Sequence, residues 1–572
     1  MHYHQAVKPL LVLCCLMALA GCSPHVEHHA AAEYVDTRGC AQCHREIVDA
    51  YKKTGMGRSF SRAEPVTGTF FHKASDRYYD IRDGVMSRWQ QGFRGEQENR
   101  ISRSIDYVVG SGNHSRTFLH RNPDGTLNEL PVSFYSQDRQ HFAMSPGYDR
   151  ADHEDFRRPV PDECLFCHNA YPRKDQPRPE GIDCQRCHGP ASNHRALVNP
   201  AKLSRERQMD VCQQCHLETT SSPLPAMVRK ASRAVFSYKP GEPLTDYASY
   251  FDTDMKDRFE VAHQAYRLRK SACFLGSQMT CTTCHDPHRE QTTEHFIEVC
   301  KTCHTAGHKR DQNCLECHMW KRPTDDVPQV VMTDHYIQRR KPASYTAAMF
   351  GARVPYFKDQ NPGPLYFLKG LDSSKAGNHT AAIQWFEEAL KTGDNPDAAR
   401  RELAASLAIQ GNLARAVEEG EKLPNDPLAL ANLGNAYLQQ GRLEDAARVL
   451  QKAPERPEAN NLLGLTLLRR GDKAGAEAAF RNAINLQPDL AEAQNNLGNL
   501  LAERHDYAEA AWHFEKAVAA NPRYVEARHS YGLVLALAGA NAKARVQLEQ
   551  ALRLAPDSAE IRSDLESVRR SR

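Results

Sequence analysis

Seven times between residues 40 and 318 the chain reads Cys-x-x-Cys-His: CAQCH at 40–44, CLFCH at 164–168, CQRCH at 184–188, CQQCH at 212–216, CTTCH at 281–285, CKTCH at 300–304 and CLECH at 314–318. No other feature restricts the fold as strongly, because these units fix 14 of the 18 cysteines and 7 of the 27 histidines. The pairs are Cys40 and Cys43, Cys164 and Cys167, Cys184 and Cys187, Cys212 and Cys215, Cys281 and Cys284, Cys300 and Cys303, and Cys314 and Cys317. No cysteine follows Cys317, so the 572-residue chain changes character once, near residue 320. With 74 basic and 71 acidic residues, its charge gives no reason to expect nucleic acid as a partner.

Closely spaced cysteines serve disulfides, zinc or iron–sulfur sites, or covalent haem. Zinc takes four ligands from two such pairs and is indifferent to the next residue. Disulfides likewise make no use of an adjacent histidine. At a histidine frequency of about one in twenty, seven coincidences have odds on the order of one in a billion, against a spacing that is itself the haem c signature. In that chemistry both thiols bond one porphyrin edge and the next imidazole takes the iron. Seven covalent haem c groups are expected, with His44, His168, His188, His216, His285, His304 and His318 as proximal ligands.

A second, distal ligand is needed for each iron in an electron-transfer site. Spare histidines in this part of the chain are twice as many as needed. His194, His288 and His308 stand just beyond a motif and are tethered on the wrong side of their own iron, so each should reach a neighbouring one. His72, His114, His120, His141, His153, His263, His295 and His335 lie between motifs; of these His153 completes the favoured set with the residues named below. Methionine is the other ordinary distal ligand, but Met319 adjoins His318 and is badly placed. Bis-histidine, low-potential haems are therefore expected. Cys273 fits either a buried apolar position or a reactive thiol and receives no role.

The N-terminus reads as an address. An apolar run of 11 residues, 10–20, is too short to span a bilayer and suits a signal peptide. It ends Leu19-Ala20-Gly21-Cys22, which resembles a bacterial lipobox with Cys22 as the acylated residue. Residues 1–22 are then a lipoprotein signal peptide, and a lipid anchor would hold the protein in the periplasm or at the cell surface. Ser23 after the cysteine favours the outer membrane.

Residues 33–340 form the expected haem domain, mostly irregular and helical, wrapped around porphyrins that supply much of its interior. Within it, 60–160 carries strand signals: Asp83-Gly84 between two β-prone runs, and Asn122-Pro123-Asp124-Gly125 between two more. A small antiparallel β insertion is expected there. The phrases "YVVGSGNH" (107–114), "ECLFCHNAYP" (163–172), "GIDCQRCHGP" (181–190), "MTCTTCHDPH" (279–288) and "DHYIQRR" (334–340) resemble exported multihaem c-type cytochromes. Their haem domain is similar to the tetrahaem electron acceptor of hydroxylamine oxidoreductase and is followed by helical repeats. The resemblance covers roughly residues 35–340. It implies electron transfer and supports His72, His114, His263 and His335 as distal ligands. Cytochrome nitrite reductases carry a Cys-x-x-Cys-Lys unit on the catalytic haem, and none occurs here.

The second half repeats itself. Gly464, Gly498 and Gly532 stand 34 residues apart, as do Ala476, Ala510 and Ala544, and Pro488, Pro522 and Pro556. Phe480, Phe514 and Leu548 keep the same step. This period and residue pattern is similar to the tetratricopeptide repeat. Looser copies centred on Gly370, Ala404 and Gly434 bring the total to about six units over 364–572, an all-α solenoid. The proline-bearing segment 341–363 is read as a linker, with the array stacking only on itself.

A multihaem cytochrome that relays electrons, with repeats that dock a redox protein partner, is the leading expectation. The alternative is a multihaem reductase or oxidase acting on a nitrogen or sulfur oxyanion at one open haem.

Overall fold

A computed structural model describes residues 33–91, 96–137, 140–151, 153–173, 180–217, 227–253, 259–304, 313–327, 329–339, 353–357, 361–393 and 395–570. The signal segment, Cys22 and His308 lie outside the described residues.

The insertion expected at 60–160 is larger than a single small sheet. It contains strands β1 (Phe60–Arg62), β2 (Gly68–His72), β3 (Arg77–Arg82), β4 (Val85–Gln91), β5 (Gln97–Ser104), β6 (Tyr107–Val109), β7 (Ser115–Arg121), β8 (Leu127–Tyr135), β9 (His141–Met144) and β10 (Arg158–Pro159). One sheet has the order β1-β6-β7-β8-β10 with β9 also on β8, and the other the order β2-β3-β4-β5. Every pairing within them is antiparallel. The hairpin between β3 and β4 turns at Asp83 and Gly84, both with positive φ (53° and 72°), as a two-residue turn between right-twisted strands requires. Tyr79, Ile81 and Met86 from one sheet meet Val108, Phe118, Leu130 and Val132 from the other in a buried core. Residues one apart on a strand face opposite ways, which is why β3 buries Arg77, Tyr79 and Ile81 alternately.

Around this sandwich the cysteine motifs sit on short helices. The first opens the helix Ala41–Tyr51. Others lie in or beside Asp162–Phe166, Gln185–His188, Arg205–His216, Thr293–Cys303 and Cys314–His318. Two small antiparallel ladders join them: β11 (Met227–Arg229) with β12 (Ala248–Thr253), and β13 (Lys321–Pro323) with β14 (Val331–Thr333). Within the segment read as a linker, β15 (Arg353–Pro355) pairs with β12 and extends the first ladder.

From Gly363–Lys375 to Ala559–Arg570 the described residues form thirteen helices, six antiparallel pairs and a terminal helix. Five of the six pairs are closed by the same contact, and the second pair carries Ala404 at the glycine position. A Cβ added at Gly370, Gly464 or Gly498 would lie 2.4, 2.4 or 3.0 Å from the ring of Phe386, Phe480 or Phe514, and Leu450 and Leu548 stand likewise over Gly434 and Gly532. Proline follows the second helix in the 34-residue units. In the shorter ones Pro396, Pro427 and Pro457 open the next helix, where its missing N–H is not needed.

The array does not stack only on itself. At its start Leu368 packs with Val228 and Phe251 of β11 and β12. Near its end it meets β4 and β5: Arg88 donates to the Ala519 carbonyl, Arg103 pairs with Asp489 at 2.9 Å, and Gln550 reaches Glu98 at 3.4 Å. The reason is a set of buried or half-buried arginines whose acceptors lie across the boundary. Among the described residues no helix is long and apolar enough to cross a membrane.

Candidate functional site

All fifteen described cysteines are free thiols, so the fourteen in the motifs are available for covalent attachment rather than locked in disulfides. Thiols of different motifs come close enough to perturb one another: Cys40 beside Cys184, Cys167 beside Cys215, and Cys212 beside Cys281. Further along, Cys284 neighbours Cys300, and Cys300 neighbours Cys314. The motifs thus form a chain of adjacent sites through the region.

Three motif histidines face a second imidazole. His44 and His194 have ring centres 6.3 Å apart and planes within 7°. His188 and His288 are separated by 6.1 Å at 20°, and His285 and His335 by 6.1 Å at 26°. With imidazole–metal bonds of ~2 Å, two rings on opposite sides of one ion place their centres about 6 Å apart. In two of these pairs the partner comes from just beyond a different motif: His194 follows His188, and His288 follows His285.

Hydrogen bonds orient several of these rings. Nδ1 of His188 bonds the Val198 carbonyl at 2.9 Å, Nδ1 of His318 the Gln338 carbonyl at 2.8 Å and Nδ1 of His335 the Thr333 carbonyl at 3.1 Å. Nδ1 of His216 meets Gln264 Oε1 at 3.1 Å, and that of His288 meets Asp286 Oδ1 at 3.0 Å. A carbonyl oxygen or carboxylate only accepts, so Nδ1 carries the proton and Nε2 keeps its lone pair, the arrangement of a metal-binding histidine. Burial pushes His168 and His335 down to about 4 and also lowers His285, which keeps them neutral, as ligation requires. The residues present therefore fit haem c: paired free thiols, oriented neutral imidazoles and ion-sized gaps between them.

Other expected ligands stand elsewhere. His72 and His153 lie inside the β sandwich with both nitrogens engaged, and neither faces a motif histidine. His72 meets Ser75 at 2.8 Å and Asp149 at 3.0 Å. His153 accepts from the Asp155 N–H at 3.1 Å through Nδ1, and its Nε2 faces Tyr79 and Arg77, each at 3.2 Å. His263 is fully buried against Glu260 at 3.5 Å. His114 is half-buried, and its Nδ1 has no hydrogen-bond partner. His120 bonds Ser104, and His295 the Cys284 carbonyl. Of the remaining motif histidines, His304 ends the helix Thr293–Cys303 as its cap. Sequence reasoning missed two buried arginines of this half, Arg88 and Arg186, because nothing in their spacing marks a buried charge.

In the second half, residues 367–429, 419–461, 431–495, 461–522 and 495–559 match the family model described as tetratricopeptide repeat. The C-terminal region is a tetratricopeptide-repeat array. The photosystem I assembly protein Ycf3 of Prochlorococcus marinus (strain NATL2A) is 31% identical over 98 residues, 16% of this chain and 56% of that protein. The chain thus spans little more than half the length of that relative. The Ycf3 of Synechococcus sp. (strain CC9605) is 28% identical over 127 residues, 21% of this chain and 72% of that one. Among solved structures, PilF of Pseudomonas aeruginosa shares 22% identity over 36% of this chain and 97% of its own, with a TM-score of 0.33. A thermophilic repeat protein of Thermus thermophilus shares 26% identity over 30% of this chain and 98% of its own, with a TM-score of 0.27.

Proposed function

We propose that the protein is an exported multihaem c-type cytochrome that relays electrons through seven covalently bound haem groups and docks a redox protein partner with its repeats. The observation that carries this reading is the pairing of motif histidines with second imidazoles 6.1–6.3 Å apart. When bound, haem supplies one-electron ferric–ferrous chemistry. The chain's own residues do the rest. Cys-x-x-Cys pairs would tether each group, and His44 with His194, His188 with His288 and His285 with His335 would hold iron.

Two further observations support it. The helices Thr293–Cys303 and Cys314–His318 bury no residue, so protein packing alone does not hold the sixth and seventh motifs in place. The adjacency of motif thiols gives electrons a continuous path. Tetratricopeptide arrays bind protein segments on a concave face, which makes the second half the docking module. The lipobox at Cys22 supports anchoring at a membrane surface, in the periplasm or outside the cell.

Mass spectrometry of the exported protein tests the reading directly. Seven covalent haem additions are expected, and protein without thioether-bound haem would refute it. His288→Ala should then convert one low-spin haem to high-spin in the oxidised protein. A native protein already holding a high-spin haem would favour an oxyanion reductase or oxidase instead.

A further inference from the structure

Three arginines are among the largest fully buried side chains: Arg88, Arg186 and Arg267. Two of them have a carboxylate. Arg88 meets Asp155 at 2.5 Å and Arg267 meets Asp334 at 2.6 Å. Arg186, at 1% exposure, has none within ion-pair distance among the described residues. Asp183, the nearest acidic neighbour in sequence, is engaged by the Gln185 N–H at 3.0 Å and by Gln185 Nε2 at 3.2 Å.

What surrounds Arg186 is aromatic. Its guanidinium lies 4.1 Å from the ring centre of Phe166, 4.5 Å from Tyr171 and 5.9 Å from Phe236. Nη2 donates to the Phe166 carbonyl at 2.7 Å, Nη1 is buried with no hydrogen-bond partner among the described residues, and the sulfurs of Cys215 and Cys167 lie close enough to feel the charge. Cys167 and Cys215, from the second and fourth motifs, pack on the aromatic cluster that contains Phe166, and Phe236 packs there with them. A lone buried charge is costly, and ring faces offset only part of that cost. It is understandable if the site gains a negative charge during function.

We propose that Arg186, which lies between Cys184 and Cys187 of the third motif, is a positioning charge that raises the reduction potential of the haem groups attached through Cys167, Cys187 and Cys215, making the meeting point of the second, third and fourth motifs the place where an arriving electron settles. The proposal rests on the reading of the motifs as haem attachment sites. One electron from an external one-electron reductant turns one ferric iron ferrous, with no bond or proton moved, and the site gains one negative charge. In a dry, low-dielectric surrounding the fixed guanidinium favours that reduced form.

The test is a spectroelectrochemical titration of full-length, haem-loaded protein reduced with dithionite. The haem count is first checked by mass. Wild type is expected to show three components that reduce ahead of the other four. In Arg186→Gln, with seven haems retained, their ferrous-to-ferric ratio at a fixed potential should fall at least tenfold, about 59 mV for one electron. Arg186→Lys, which keeps the charge, should preserve most of the elevation. Seven haems with unmoved potentials in Arg186→Gln, or an equal fall in Arg186→Lys, overturns the proposal. Should Arg186→Gln fail to assemble, wild type decides, since a titration without three leading components also overturns it. Wild type without covalent haem instead sinks the underlying reading, a distinguishable result.

Discussion

Arg88, on β4, donates a hydrogen bond to the main-chain carbonyl of Ala519, 431 residues further along the chain. That carbonyl belongs to the last turn of the helix Tyr507–Ala520, where helical carbonyls have no intrahelical partner and the helix dipole favours a cation. The same guanidinium holds Asp155 through Nε at 2.5 Å. Replacing Arg88 by Met should therefore cost up to about 3–5 kcal/mol, because buried Asp155 is left with only the longer 3.8 Å ion pair to Arg77. Adding Asp155→Leu should recover much of the loss. Urea unfolding of both variants measures it, and equal stabilities would contradict the paired-charge account.

Removing the repeats should be felt in β5. A fragment ending near Asn361 loses the Ala519 carbonyl, Asp489 and Gln550, which engage Arg88, Arg103 and Glu98. Amide hydrogen exchange across Gln97–Ser104 should accelerate in the fragment relative to the whole chain. Unchanged protection there would mean that the two halves fold independently.

The glycine–aromatic contact sets how closely each helix pair approaches. Gly464→Val places a branched side chain where Cβ alone would stand 2.4 Å from Phe480. Overpacking of this kind costs ~1–3 kcal/mol. Thermal unfolding should lose its repeat transition at lower temperature while the aromatic circular dichroism of the β sandwich keeps its form.

His153 makes the sandwich acid-sensitive. Burial, with the nearby Arg77 charge, lowers it from 6.5 to about 4. The unfolded chain therefore takes up a proton near pH 6.5 that the folded chain refuses until about pH 4. Its contribution is complete above pH 6.5 and is lost as pH falls through that window, by at most about 3 kcal/mol. In His153→Gln the dependence of Tm on pH between 7 and 4.5 should flatten; an unaltered slope would assign the acid sensitivity to other groups.

Much of this was legible before any coordinates. The repeat period predicts the helix pairs because a 34-residue step can only be kept by a stacked unit, and Gly464 and Phe480 name the contact that closes it. Asp83-Gly84 marks a turn that few other residue pairs can make. The pairing of imidazoles was partly legible: His194 and His288, expected to reach beyond their own motif, each face another motif's histidine. His72 and His153 look the same in a list of histidines, yet what they touch was hidden: Asp149 stands 77 residues from His72, and Arg77 and Tyr79 stand more than 70 from His153. Burial of Arg186 was also hidden, since a motif's variable positions carry no periodicity. Nor does β15 announce itself: three residues paired across some hundred positions give no local pattern.

The repeat array is fastened at both ends, by Leu368 against β11 and β12 and by Ala519 and Asp489 against β4 and β5. A free solenoid changes pitch along its length at little cost, as a spring does when one end hangs loose. Clamped at each end to the cysteine-bearing half, it behaves as a bowstring. Whatever seats itself on the array must either match its resting curvature or pull on the anchor points, so docking there would be felt mechanically by the cysteine-bearing half.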